Sequence, residues 1–115
     1  MKKLFIAAFM FVSTFGTNVM ADGHAIKMGI ILGFTGPIES LTPAMAGSAE
    51  LAFKEASDSG SLLGGKKIEV VRADSTCVDS AAATAAAEGV ISQGVAAIMG
   101  ADCSGVTGAI ASNVA

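Results

Sequence analysis

The chain has 115 residues, with seven Lys and Arg against ten Asp and Glu, a net charge of −3, one His, two Cys and neither Trp nor Tyr. Setting aside Lys2 and Lys3 at the N-terminus leaves five basic residues against the same ten acidic ones. With no basic run beyond Lys66-Lys67 and no interleaving of aromatic and basic side chains, nucleic acid and anionic membrane surfaces are poor partners.

The chain opens "MKKLFIAAFMFVSTFGTNVMA". Lys2 and Lys3 form a positive region, Leu4 to Phe15 is almost wholly apolar, and Val19 and Ala21 stand at the small-residue positions before a cut. This pattern predicts a secretory signal peptide over 1–21, cleaved between Ala21 and Asp22. The apolar stretch is shorter than the roughly 20 residues a membrane-spanning helix needs. No cysteine near the cut offers a lipid attachment point. The part from residue 22 onward is small enough that a single core is marginal without a staple.

"AIKMGIILGF", Ala25 to Phe34, is rich in Ile and reads as a strand buried on both faces. "TGPIESL" follows as a loop. Thr42 and Pro43 then predict a helix start, with Thr42 as the cap and Pro43 at the first helical position. Met45, Ala49, Phe53 and Ala56 form an apolar stripe at helical spacing. Glu50 and Lys54 make an i,i+4 pair in the favourable order. "SDSGSLLGG" turns the chain.

"KKIEVVRAD", Lys66 to Asp74, predicts a second strand, with Ile68 and Val70 on one face and Val71 on the other. After "STCVD", Asp79 is placed to cap an alanine-rich helix that Gly94 stops. Gly89 within it is expected to allow close packing on the sheet. "VAAIMGA" is a third strand. "DCSGVTGAIASNV" starts a third helix, with Val106, Ile110 and Val114 at i+4 spacing. The helical pattern is still open at Ala115, the expectation for a fragment or a truncated reading frame.

The alternation of strand and helix predicts an α/β fold, a parallel sheet with helices on both faces. The loops "GFTGPIESL", "ADSTCVD" and "GADCSG" then share the C-terminal edge of the strands, where open α/β sheets bind ligands. Cys77 and Cys103 lie just past the ends of strands two and three, and secretion would place them in an oxidising compartment. A disulfide between them would contribute about 3.5 kcal/mol by the chain-entropy relation. A catalytic thiol would need a base, and the single histidine, His24, stands far away in sequence. No spacing supplies four zinc ligands. "GFTG" lacks both GxGxxG and the Walker A residues, so no cofactor or metal is expected.

Ser104 falls at the start of the third helix, where free N–H groups and the helix dipole favour an anion such as a carboxylate. Its hydroxyl serves either as a cap or as a ligand donor. Thr107, one turn on, reaches the same anion or bonds back to the carbonyl of Cys103 or Ser104. Asp74, Asp79 and Asp102 crowd the same edge, but nothing in the sequence fixes the separation that acid–base catalysis needs.

The pieces "IKMGIILGFTGP", "GSAELAFKEASDSGSLLGGKKIEVVRAD" and "CVDSAAATAAAEGVISQGVAAIMGADCSG", in this order behind a signal peptide, resemble the periplasmic leucine/isoleucine/valine-binding protein family, the type I substrate-binding proteins of ABC importers. The resemblance implies that residues 22–115 are a partial N-terminal lobe of a bilobed, non-enzymatic solute binder. It implies an amino acid or related small molecule as ligand, a membrane permease as partner and the periplasm as location. It also implies a Cys77–Cys103 disulfide and a carboxylate gripped by Ser104, with Thr107 agreeing with the family pattern. The family's loop after "GP" sets an aromatic residue against the ligand. Here Leu41 is nearest, with Glu39 and Ser40 beside it, and the loop is about one residue shorter. "VDS" stands where a "DP" pair is common. The groups that usually hold the ligand ammonium fall beyond Ala115. A ligand-sensing domain of a receptor or regulator with the same fold is the alternative reading, and an extracytoplasmic enzyme on a flavodoxin-like sheet is a third.

Overall fold

The computed structural model describes residues 25–115, so the predicted signal peptide and His24 lie outside the described residues. Strand β1 (Ile26–Leu32) leads to α1 (Thr42–Asp58), β2 (Ile68–Asp74), α2 (Ser80–Ser92), β3 (Ala97–Gly100) and α3 (Ser104–Val114), with a short 3₁₀ turn at Leu62–Gly64. The strands are all parallel in the order β2-β1-β3. The central position of β1 explains its apolar run: Ile30, Ile31 and Leu32 are fully buried.

The pleat sends alternate side chains of β1 to opposite faces. Ile31 packs with Ala83, Ala87 and Val90 of α2 and Val106 and Ile110 of α3. Ile30 and Leu32 pack with Ala46, Ala49 and Phe53 of α1. Helices therefore cover both faces, as the βα order predicts. The chain moves outward from β1 to β2 and then back across β1 to β3. Right-handed crossovers in opposite directions require α1 and α2 on opposite faces. The strands and helix starts agree with the sequence reading to within two residues, except that β3 is trimmed to four residues from seven.

Helix α1 departs from the reading in three ways. Its cap is Leu41, which makes no side-chain cap hydrogen bond, and Thr42 is already helical. The fully buried Thr42 hydroxyl instead donates to the carbonyls of Gly33, at 3.1 Å, and Glu39, at 3.4 Å. The inward face carries the buried Thr42, Ala46 and Ser57 and the half-buried Ala49 and Phe53, so Met45 turns outward at 42% exposure. The apolar stripe found Ala49 and Phe53 but missed Thr42 and Ser57, which are hydroxyls with backbone partners. Ser57 accepts from the Ile68 amide at 2.9 Å and so joins the helix end to β2.

Glu50 and Lys54 do not pair with each other. Arg72 on β2 donates through Nε and Nη2 to the two carboxylate oxygens of Glu50, at 2.6 and 2.7 Å, and Lys54 pairs with Asp58. Arg72 also lies 5.5 Å from the centre of the Phe34 ring. A planar guanidinium facing a carboxylate from the adjacent strand outcompetes the helix pair. Its hydrogen bonds hold Glu50 below the ordinary carboxylate range. Gly89 is exposed and a side chain there would touch nothing, so sheet packing is not its role. Val106 and Ile110 are buried as expected, whereas Val114 is 47% exposed. Asp79 caps α2, accepting from the amides of Ala81 and Ala82 at 2.9 and 3.0 Å.

Cys77 and Cys103 form a disulfide with Cα atoms 5.3 Å apart. Their strands are not neighbours, because β1 lies between them. Strands two places apart are separated by roughly 10 Å. Both loops must therefore fold inward over the end of β1. Gly33 eases this approach, since a Cβ there would fall 3.1 Å from Cys77 Cβ. Replacing both cysteines by serine is expected to lower unfolding free energy by about 3.5 kcal/mol, the chain-entropy value for the 26-residue separation. Denaturant unfolding of the complete protein checks this, and an unchanged midpoint would contradict it.

Candidate functional site

The C-terminal ends of the three strands carry residues 33–41, 75–79 and 101–103 on one edge. The chain reverses its direction of winding between β1 and β3. In an open α/β sheet this reversal opens the crevice where ligands bind. The site residues read from the sequence all fall on this edge or on the first turn of α3.

Two carboxylates hold the first loop. Asp102 accepts from the Gly33 amide through both oxygens, at 3.2 and 2.9 Å. Asp74 accepts from the Thr35 hydroxyl at 2.6 Å, the Thr35 amide at 3.3 Å and the Thr76 amide at 2.8 Å. Desolvation is the strongest influence on Asp74 and raises its pKa. The hydrogen bonds from Thr35, Thr76 and the Phe34 backbone together outweigh it and hold the carboxyl below its ordinary value.

The second loop is wound tightly under the disulfide. Thr76 and Cys77 both adopt left-handed backbone conformations, with φ of 58° and 71°. Such conformations cost on the order of 1–3 kcal/mol per residue and persist only where neighbours over-determine them. Here the Asp74 bond to the Thr76 amide, the Thr76 hydroxyl accepting from the Asp79 amide at 3.1 Å, and the disulfide supply that constraint. The first loop accommodates the second at Gly36, whose φ is +95° and where a Cβ would lie 2.5 Å from the Thr76 carbonyl.

In the third loop Cys103 is the cap residue of α3, without a side-chain cap bond, and Ser104 is the first helical residue. Ser104 is exposed, and its hydroxyl makes no hydrogen bond among the described residues. Of its two roles open in the sequence, capping is therefore not the one adopted. Thr107 turns back on the chain. Its hydroxyl donates to the carbonyls of Ala101 and Cys103 at 3.0 and 2.9 Å, bracing the turn from within. Ser40 and Leu41 are both exposed, Leu41 at 60%. A cavity of about 500 Å³ lies between β3 and α3 on the flank of the sheet, lined by Ile98, Gly100, Thr107, Ile110, Ala111 and Val114.

Each of the three aspartates considered for acid–base chemistry has a structural task. Asp74 and Asp102 hold the first loop and Asp79 caps α2. Among the described residues, no group of three or more His, Cys, Asp or Glu is placed to hold a metal ion. The sequence reading missed the carboxylate clamps. Their signal was an aspartate at the end of each strand flanking β1.

The periplasmic binding protein family model matches residues 25–115, and the chain belongs to that family. No curated protein matches the chain. The three-stranded parallel sheet with helices on both faces is that of a type I periplasmic binding protein. The assignment is consistent with a non-catalytic solute-binding domain.

The lowered pKa of Asp74 has a consequence for stability. A carboxyl depressed in the folded state stabilises at pH above its ordinary value, and that contribution is lost as pH falls through the folded value. Asp74→Asn is therefore expected to show a smaller drop in urea midpoint between pH 7 and pH 3 than the unaltered protein. Equal drops would contradict the clamp's dependence on charge.

Proposed function

We propose that residues 22–115 are part of the N-terminal lobe of an extracytoplasmic solute-binding protein of an ABC importer, preceded by a signal peptide over 1–21. The ligand is an amino acid or related small carboxylate held between two lobes. The observation that carries this reading is Ser104. Its exposed, uncommitted hydroxyl stands on the first turn of an eleven-residue helix, at the strand-end edge of a periplasmic-binding-protein sheet.

In this reading the ligand carboxylate lies against the N-terminus of α3. The Ser104 hydroxyl and the amides of the first turn donate to it, and the helix dipole adds attraction. Thr107 supports the turn rather than donating to the ligand, because its hydroxyl proton is engaged by two carbonyls. Ser40 and Leu41 face the rest of the ligand. Leu41, in place of an aromatic ring, presents a branched apolar surface without a polar tip. Closure of the second lobe completes the site, and the permease distinguishes the closed, loaded form from the open, empty one. Binding of this kind needs no covalent step and no cofactor.

Ser104→Ala in the complete protein is expected to weaken a free amino-acid ligand by about 1–3 kcal/mol, the value of a hydrogen bond to a charged group. Calorimetry measures the change, and an unaltered dissociation constant would remove Ser104 from the site.

A further inference from the structure

The register between β1 and β3 places an unusual demand on Gly33. Pairing runs from Met28 opposite Ala97 to Ile31 opposite Gly100, where β3 ends. Continuing that register by two positions sets Gly33 level with Asp102. β3 has ended before that level, and a buried amide without a partner is costly. Gly33 is buried, and the Asp102 side chain supplies the acceptor through both oxygens. On the other side of β1 the ladder continues in the ordinary way, with the Ser75 amide donating to the Leu32 carbonyl at 2.9 Å.

We propose that Asp102 is a positioning residue for the ligand-binding loop, its carboxylate standing in for the absent strand carbonyl and setting the direction in which residues 33–41 leave the sheet. The proposal rests on the reading of this edge as the solute crevice. It deepens that reading, because Asp102, Cys103 and Ser104 are consecutive. Asp102 fixes the loop that carries Ser40 and Leu41. Cys103 fixes the loop after β2. Ser104 meets the carboxylate. A shift at Asp102 thus moves the side-chain end of the site relative to its carboxylate end, although Asp102 touches no ligand. Thr42 reinforces the arrangement, since its hydroxyl donates to the carbonyl of the same Gly33.

The test uses the complete mature protein with Asp102→Ala and Asp102→Asn, of which asparagine keeps an acceptor oxygen. The first readout is amide hydrogen exchange without ligand. Asp102→Ala is expected to speed exchange at Gly33 by about tenfold, in line with the loss of one hydrogen bond to a charged group. Asp102→Asn should recover most of the protection, and exchange at Ile30 and Ile31 should stay unchanged in both variants. Equal acceleration at Ile30, Ile31 and Gly33 would mean general destabilisation and overturn the proposal. So would unchanged exchange at Gly33. The second readout is calorimetry with L-leucine, L-glutamate and acetamide. For any probe that binds the unaltered protein, Asp102→Ala should weaken affinity several-fold with rescue by asparagine, and unchanged affinity would overturn the positioning role. If none of the three binds the unaltered protein, the solute reading loses support, while the exchange result still decides whether Asp102 holds the loop.

Discussion

The architecture of this edge depends on one constraint: the disulfide joins two loops whose strands are separated by a third. β1 lies at the centre of the sheet, so Cys77 and Cys103 meet only because their loops fold across its end. That crossing leaves little room at position 33, where a Cβ would lie 3.1 Å from Cys77 Cβ. Beside it, where β3 has ended, Asp102 provides the acceptor for the Gly33 amide. The left-handed conformations of Thr76 and Cys77 belong to the same crossing, since a loop that must turn inward so sharply leaves the ordinary backbone regions.

The consequence is a plate of three mutually fixed loops. Asp74 ties the first to the second, the disulfide ties the second to the third, and Asp102 ties the third to the first. These links lie within one lobe and need no ligand. In the proposed function, such preorganisation would lower the entropy that binding must overcome, because fewer side chains and loop residues would become ordered when a solute arrives. Ser104 stands on the plate with its hydroxyl uncommitted. In the proposed function, closure of a second lobe would then be a rigid-body event about a fixed surface, the form of motion suited to recognition by a permease.

Much of the fold was legible because the relevant residues obey local rules. The Ile run of β1, the Asp79 cap and the alanines of α2 carry their structure in composition and spacing. The alternation of elements set the fold class, and the cysteine positions indicated their own pairing. What escaped was long-range. Thr42 and Ser57 occupy buried positions of α1 because Gly33 and Ile68 supply partners, and a hydropathy stripe cannot register those partners. Glu50 chose Arg72 over Lys54 because β2 brings a planar guanidinium to it. The strand order was also hidden, and with it the roles of Gly33 and Asp102. At the site, the start of α3 at Ser104 was readable, whereas the engagement of Thr107 with two carbonyls depended on the exact path of the turn.

The central claim is that this edge belongs to a binder of small carboxylates. The most direct measurement is a thermal-shift panel on the complete mature protein, with branched, aromatic, polar and acidic amino acids beside simple amides and carboxylic acids. A ligand that binds only the folded state raises the melting temperature as its concentration exceeds its dissociation constant. The account predicts a rise of several degrees with one class of carboxylate-bearing amino acid and none with the matching amide. A shift with the amide alone, or with no member of the panel, would contradict it.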